Sequence, residues 1–347
     1  MAASDHHASV PHPDSPLLTS LLRDVSRSFY LTMRMLPESI RPQISLAYLL
    51  ARATDTIADT DLVPMEDRLT ALANLQQRIL GEREIPVNLV GLANRQTDDA
   101  ERILLERIEE ALSVLTRFAY SDQQRIREVL QTITSGQELD LKRFNNPSSG
   151  IITALEKESE LDDYTYRVAG CVGEFWTKIC RGHLFPTTPL DDARLMANGI
   201  RFGKGLQLVN ILRDLPTDLK SGRCYLPLER LDAIGLRPND LANPEMESAF
   251  RALYHGYLDQ AHEHLSAGWT YTNSLPARFI RLRLACAWPL IIGARTIAKL
   301  RKTNILKENT RVKVSRSEIY SIILQSILRY PFKGAWNRLF PQPNRSN

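Results

Sequence analysis

The sequence is short of cysteine, of long apolar runs and of the residue alternation that makes strands. Four cysteines in 347 residues (Cys171, Cys180, Cys224 and Cys286) lie too far apart for a Cys-x-x-Cys knuckle. They are also too few to staple a chain of this size, which argues against structural zinc and for a reducing compartment. No apolar stretch reaches the ~18 residues of a spanning helix. The start, MAASDHHASVPHPDSP, lacks the basic-then-apolar order of a signal peptide, so a cytoplasmic protein is expected. Glycine and proline, at 16 and 19 residues, are too sparse for a collagen-like or low-complexity chain. What remains, 43% hydrophobic and 24% charged residues, is the composition of a globular protein with a substantial core.

Charge is unevenly spread. Residues 295–347 hold twelve lysines and arginines against two glutamates, in a chain whose net charge is only +4. Such a tail seeks a phosphorylated cofactor, an anionic membrane surface or nucleic acid, or is simply solvated. Residues 1–16, rich in His and Pro, read as a disordered N-terminal arm. From Leu17 onward the apolar spacing is helical, and Gly, Pro, Asn and Ser mark breaks near 81–100, 145–150, 182–189, 219–227 and 235–244. The spacing predicts helices throughout, in one domain over 17–315, with a basic amphipathic segment over 316–347.

Two segments carry paired acids. In RPQISLAYLLARATDTIADT, Tyr48, Arg52, Asp55 and Asp59 recur at four, three and four residues, within an arc of roughly 60° on one helix face. In GKGLQLVNILRDLPTDLKSGR, Gly203, Gln207, Asn210, Asp214 and Asp218 share a face if the helix persists. Acid pairs on separate helices can converge across a cavity. Their hard oxygen ligands suit Mg²⁺, which shares its coordination with waters and substrate phosphates. Arg213, Lys220 and Arg223 are at hand for phosphate oxygens, the arginines in bidentate fashion. Ordinary solvated i, i+4 carboxylates are the plainer alternative, but both pairs sit in apolar helices with an arginine within a turn. Pro216 lacks the N–H that would bond the Leu212 carbonyl, so the helix is expected to kink or end near Leu215.

In LDDYTYRVAGCVGEFWTKIC, Gly170 and Gly173 fall within a predicted helix, where each costs roughly 0.5–1 kcal/mol relative to Ala. Either close helix packing or room for a bulky apolar ligand would account for them. Tyr164 on the same segment and Phe29 can offer aromatic faces to a carbocation, and a phenol can pass a proton; core packing is the other reading of both.

Five ordered segments, SRSF (26–29), YLLARATDTIAD (48–59), GQELDL (136–141), YTYRVAGCVGE (164–174) and NILRDLPTDLKSGRCYLP (210–227), together resemble the squalene and phytoene synthase family of head-to-head prenyl transferases. The resemblance implies an all-α isoprenoid synthase fold, a single helical domain around a central cavity. It implies that Asp55, Asp59, Asp214 and Asp218 hold Mg²⁺, with Gln207 and Asn210 beside them. Arg27, Ser28, Arg52, Arg213 and Arg223 would bind diphosphate, and Tyr48, Tyr164 and Phe29 would serve the reacting carbons, Tyr164 as the acid or base. Thr165 stands where the family often has Cys.

Two further stretches, CAWPLIIGA (286–294) and RVKVSRSE (311–318), are similar to segments of the squalene synthases, the second to a basic strip near NADPH. That likeness implies Lys313 and Arg316 at the cofactor, and two farnesyl diphosphates joined through presqualene diphosphate and reduced to squalene. Phytoene formation from geranylgeranyl diphosphate without a reductant, release of presqualene diphosphate or hydroxysqualene, and a non-catalytic assembly protein of the same fold are the alternatives. The partners implied are prenyl diphosphates, not nucleic acid; the C-terminal segment, which mixes Ile and Leu with Arg, Lys, Trp and Phe, either lies on a peripheral membrane surface or packs against the core.

Overall fold

The computed structural model describes residues 20–26, 29–144, 150–307 and 311–341. The arm over 1–16 and the candidate ligands Arg27 and Ser28 lie outside them. The chain is helical as expected. In order, the helices are α1 (Leu22–Ser26), α2 (Phe29–Arg34), α3 (Arg41–Ala58), α4 (Met65–Leu80), α5 (Val90–Ala93), α6 (Asp99–Glu106), α7 (Ile108–Leu115) and α8 (Tyr120–Arg143). They continue with α9 (Glu158–Thr165), α10 (Cys171–His183), α11 (Asp192–Lys220), α12 (Leu228–Asp232), α13 (Glu247–Ser274), α14 (Ile280–Leu300), α15 (Arg316–Arg329) and α16 (Lys333–Asn337). A π-helical turn, Tyr166–Gly170, joins α9 to α10. The one departure from helix-and-loop among the described residues is a parallel bridge of β1 (Thr153–Ala154) with β2 (Arg223–Cys224), two residues being too short to leave an alternation in sequence.

The chain divides into two compact units, Met1–Lys142 with Phe175–Thr188, and Arg143–Glu174 with Pro189–Asn347. In the first, α3 is the central element, against α1, α2, α4, α6 and α7. Pro42 opens it, where proline's missing N–H has no helical partner to lose. Leu46, Leu49, Leu50, Ala53 and Ile57 are wholly buried, each large side chain contributing about 1.5–3 kcal/mol. Helix α4 stops at Gly81, whose φ of +81° suits glycine. Asp122, also buried, accepts from Gln43 at 3.1 Å and Arg125 at 2.9 Å, and lies 2.9 Å from His183 Nε2. Burial alone would raise its pKa, but these partners outweigh burial and hold it below the ordinary value.

In the second unit α11 is central, against α9, the π turn, β2, α13 and α14. Of the two outcomes expected at Pro216, a kink or an end, the end does not occur: α11 runs through Pro216 to Lys220. The reason is a donor from another helix: the buried hydroxyl of Tyr254, on α13, bonds the Leu212 carbonyl at 3.0 Å. That carbonyl is the acceptor that Pro216 leaves without its i→i−4 N–H. Burial raises the Tyr254 pKa, so the group stays protonated and donates. Tyr254→Phe is therefore expected to cost about 1–3 kcal/mol, the desolvation cost of an orphaned carbonyl. Adding Pro216→Ala, which restores the N–H, should recover most of that loss in denaturant titrations. Equal losses in both backgrounds would show that the hydroxyl does not substitute for the missing donor.

Candidate active site

Each acid pair lies on the central helix of its unit. Between Pro42 and Ala58, every residue of α3 is buried except Tyr48, Ala51, Arg52 and Asp55, and exposed Asp59 follows directly. The face predicted from spacing is thus the open face. Arg52 Nη1 donates to Asp55 Oδ2 at 2.7 Å and Nη2 to Glu101 on α6. Its Nε is buried with no partner in the protein.

The Asp55 side chain is 41% accessible, yet protein atoms crowd it closely. Desolvation first, then the neighbouring charge of Asp59, push its pKa up from 3.8 to about 7 against the pull of Arg52. A carboxyl with a raised folded-state pKa takes up a proton on folding between those two values. Stability of the metal-free protein should therefore fall as pH rises from about 4 to about 7 and level off above. Melting temperatures of wild type and Asp55→Asn across that range test this. The substitution should flatten the slope, and parallel profiles would show a carboxylate that water solvates fully.

On α11, Gly203, Gln207, Asn210, Asp214 and Asp218 are all half-buried, while Leu208, Ile211, Leu212, Leu215 and Leu219 between them are buried. Because the helix continues past Pro216, Asp218 keeps its helical register one turn after Asp214. Arg213 grips Asp214 with both arms, Nε to Oδ1 at 2.9 Å and Nη2 to Oδ2 at 2.5 Å. This bond chiefly raises the Arg213 pKa, with Asp218 adding a smaller push. Arg223 sits on β2, where its register opposite Thr153 is set by backbone bonds from Thr153 N to Gly222 O and from Leu155 N to Cys224 O.

Tyr164 ends up buried on α9, its ring stacked on Tyr225 at 4.7 Å, and Phe144 meets Tyr225 edge-on at 5.2 Å. The π turn follows at once. Phe29 opens α2. Lys313 and Arg316 are both exposed near the start of α15, the Lys313 carbonyl accepting from Lys299 at 3.0 Å.

The glycines have a packing answer. A Cβ on Gly173 would lie 1.9 Å from the Gly199 carbonyl oxygen, and one on Gly203 would lie 2.0 Å from that of Ala169. Gly170 is filled against Tyr166 and Lys204. These positions hold helix contacts, not a ligand.

Sequence reasoning missed Glu101, Tyr225 and Gln137. Tyr225 and Gln137 lie inside quoted motifs, and the buried Gln137 Oε1 has no hydrogen-bond partner. Among the described residues no group of three or more His, Cys, Asp or Glu side chains could hold a metal by itself. The two aspartates of each pair, oxygen donors only, with Asp55 destabilised by desolvation and by its like-charged neighbour Asp59, fit a hard divalent ion such as Mg²⁺, which completes its shell with waters and ligand oxygens.

An all-helical body with arginine-held acid pairs on its two central helices is that of the isoprenoid synthase fold. The same fold is seen in the structure of TcSQS with the ligand BPH1237, matched with a TM-score of 0.72 over 95% of this chain and 92% of that one, at 22% identity. The sequence profile of the squalene/phytoene synthase family matches residues 22–318, and the chain belongs to that family. Members are prenyltransferases of isoprenoid biosynthesis, which supports an enzyme of that class. The presqualene diphosphate synthase of Sinorhizobium fredii is 29% identical over 257 residues, 73% of this chain and 77% of that protein. The bifunctional lycopene cyclase/phytoene synthase of Gibberella fujikuroi is 28% identical over 259 residues, 74% of this chain, and the chain spans 43% of its length.

Proposed function

We propose that the protein is a Mg²⁺-dependent squalene synthase, joining two farnesyl diphosphates head to head through presqualene diphosphate and reducing the product with NADPH. The observation that carries the condensation is the pair of open helix faces, each with two aspartates and an arginine bonded to the first of them. Asp55, Asp59, Asp214 and Asp218 would hold Mg²⁺, which supplies charge neutralisation at a departing diphosphate. Arg52, Arg213 and Arg223 take diphosphate oxygens, with Gln207 and Asn210 alongside and Arg27 and Ser28 in support. Departure of one diphosphate leaves an allylic cation that the double bond of the second substrate attacks. Tyr164 would serve as the acid or base, relaying the proton lost as the cyclopropane closes to the departed diphosphate, with Tyr225 stacked on its ring. Tyr48 would present an aromatic face to the cation and keep water from it, a role that the family resemblance gives to Phe29 as well. For the reductive half, Lys313 and Arg316 would hold the phosphates of NADPH, which would supply hydride. Substrates and product are long hydrocarbons, so a bilayer is their natural reservoir.

The presqualene diphosphate synthase relative favours a second reading, in which the chain stops at the cyclopropyl intermediate. Incubating purified protein and Mg²⁺ with farnesyl or geranylgeranyl diphosphate, with and without NADPH, separates the two. Squalene only with NADPH is expected. Presqualene diphosphate under both conditions supports the second reading, and phytoene from the longer substrate overturns the choice of chain length. Lys313→Ala should raise the KM for NADPH about tenfold and leave presqualene diphosphate formation unchanged, as loss of one charge-assisted contact would. An unaltered KM removes Lys313 from the cofactor site.

A further inference from the structure

Helix α15 is apolar on both sides. Of the thirteen exposed large apolar side chains among the described residues, five fall between 320 and 332: Tyr320, Leu324, Ile327, Leu328 and Phe332. Each is at least half exposed. The four on the helix lie within an arc of roughly 100°. The opposite arc buries Ile322 and Ser326.

The helix cannot roll to hide its outer face. Trp288 Nε1 donates to Ser326 Oγ at 2.9 Å, and the Tyr330 hydroxyl donates to the Ala277 carbonyl at 2.7 Å. The Arg283 guanidinium lies over the Tyr330 ring at 5.4 Å. The surroundings are cationic. Arg316 on α15, Arg311 before it and Lys333 and Arg338 after it are all exposed. Glu318, the sole acid between 311 and 341, is held by Lys299 at 2.7 Å.

We propose that this outer face docks the protein on a lipid bilayer bearing anionic headgroups, with Leu324, Ile327 and Leu328 entering the acyl boundary and the basic rim at headgroup level. A helix with an apolar stripe flanked by Lys and Arg lies in a membrane interface for these reasons. A second copy is a poorer occupant, because it would set one positive rim against another. The inference deepens the bilayer part of the proposed function, but it is read without substrate, so failure of either leaves the other standing.

The test is flotation of the full chain with vesicles of phosphatidylcholine alone or with about one third phosphatidylglycerol. Wild type should float with the anionic vesicles and not with the neutral ones, and should be released at about 0.5 M salt, where charges are screened within a few ångströms. Leu324→Asp with Leu328→Asp should cut the bound fraction at least about tenfold, and Lys333→Gln with Arg338→Gln should weaken binding at low salt alone. Leu324→Ser with Leu328→Ser, matched in melting temperature to wild type, guards against misfolding. Wild type left behind by anionic vesicles overturns the proposal, as does undiminished flotation of both Leu324/Leu328 variants. So does a wild-type dimer that these substitutions split while vesicle binding is nil, which assigns the face to a second copy.

Discussion

Replacing Asp55 or Asp214 by Asn should lower turnover of prenyl diphosphate by about 10³-fold or more, the scale on which a single preorganised electrostatic contact acts in a dry site. The two substitutions should part company in stability. Asp55 is held in a crowded place beside Asp59, with its pKa pushed up to about 7, so a neutral isostere relieves repulsion and the melting temperature should hold or rise. Asp214 is gripped by both arms of Arg213 at the surface, and its loss should cost no more than about 1 kcal/mol. Steady-state rates at saturating Mg²⁺, together with melting curves, read both effects. Near-normal rates in either variant would remove that acid from the chemistry. A collapse of the Asp55→Asn melting temperature would mean that the carboxylate is structural.

Gly173→Val should be the most damaging substitution for the fold. Its Cβ would stand 1.9 Å from one backbone oxygen and 2.6 Å from the carbonyl carbon of the same residue, Gly199. Neither atom can rotate away as a side chain does. The contact is also reciprocal, since Gly203 meets Ala169 in the same way, so the two helices would have to separate. Overpacking of this kind costs roughly 3 kcal/mol or more, and even Gly173→Ala should lower the denaturant midpoint clearly. Gly256→Ala on α13 is the control. Nothing lies within 4 Å of its added methyl, so it should gain about 0.5–1 kcal/mol from helix propensity. If Gly173→Ala is as stable as wild type, the close approach of α10 to α11 is wrong.

These cases show what a single sequence reveals. The faces of α3 and α11 were legible because helical periodicity acts within one segment, and Arg52 lies three residues from Asp55 on it. The glycines were legible as an anomaly but not as an answer, since the atoms that fill their space belong to another helix. That α11 does not end at Pro216 has a related reason. The rule that proline ends a helix assumes that the orphaned carbonyl finds no other donor, and Tyr254, the donor it finds, is 42 residues away. Glu101 reaches Arg52 from 49 residues away, so no local pattern announces it. Tyr225 and Gln137 stood inside recognisable motifs without a chemical signature, because stacking and an unused carbonyl become visible only in three dimensions.

The placement of the indoles gives the molecule an intrinsic optical reporter. Of four tryptophans in the chain, Trp269 is stacked on Trp336 at 5.2 Å and on Phe340 at 5.5 Å, while Trp288 is hydrogen-bonded to α15. Coupled transitions of the stacked rings should yield a near-ultraviolet circular dichroism doublet that vanishes when residues 333–341 detach. Trp288 emission should report strain on α15 without any added dye.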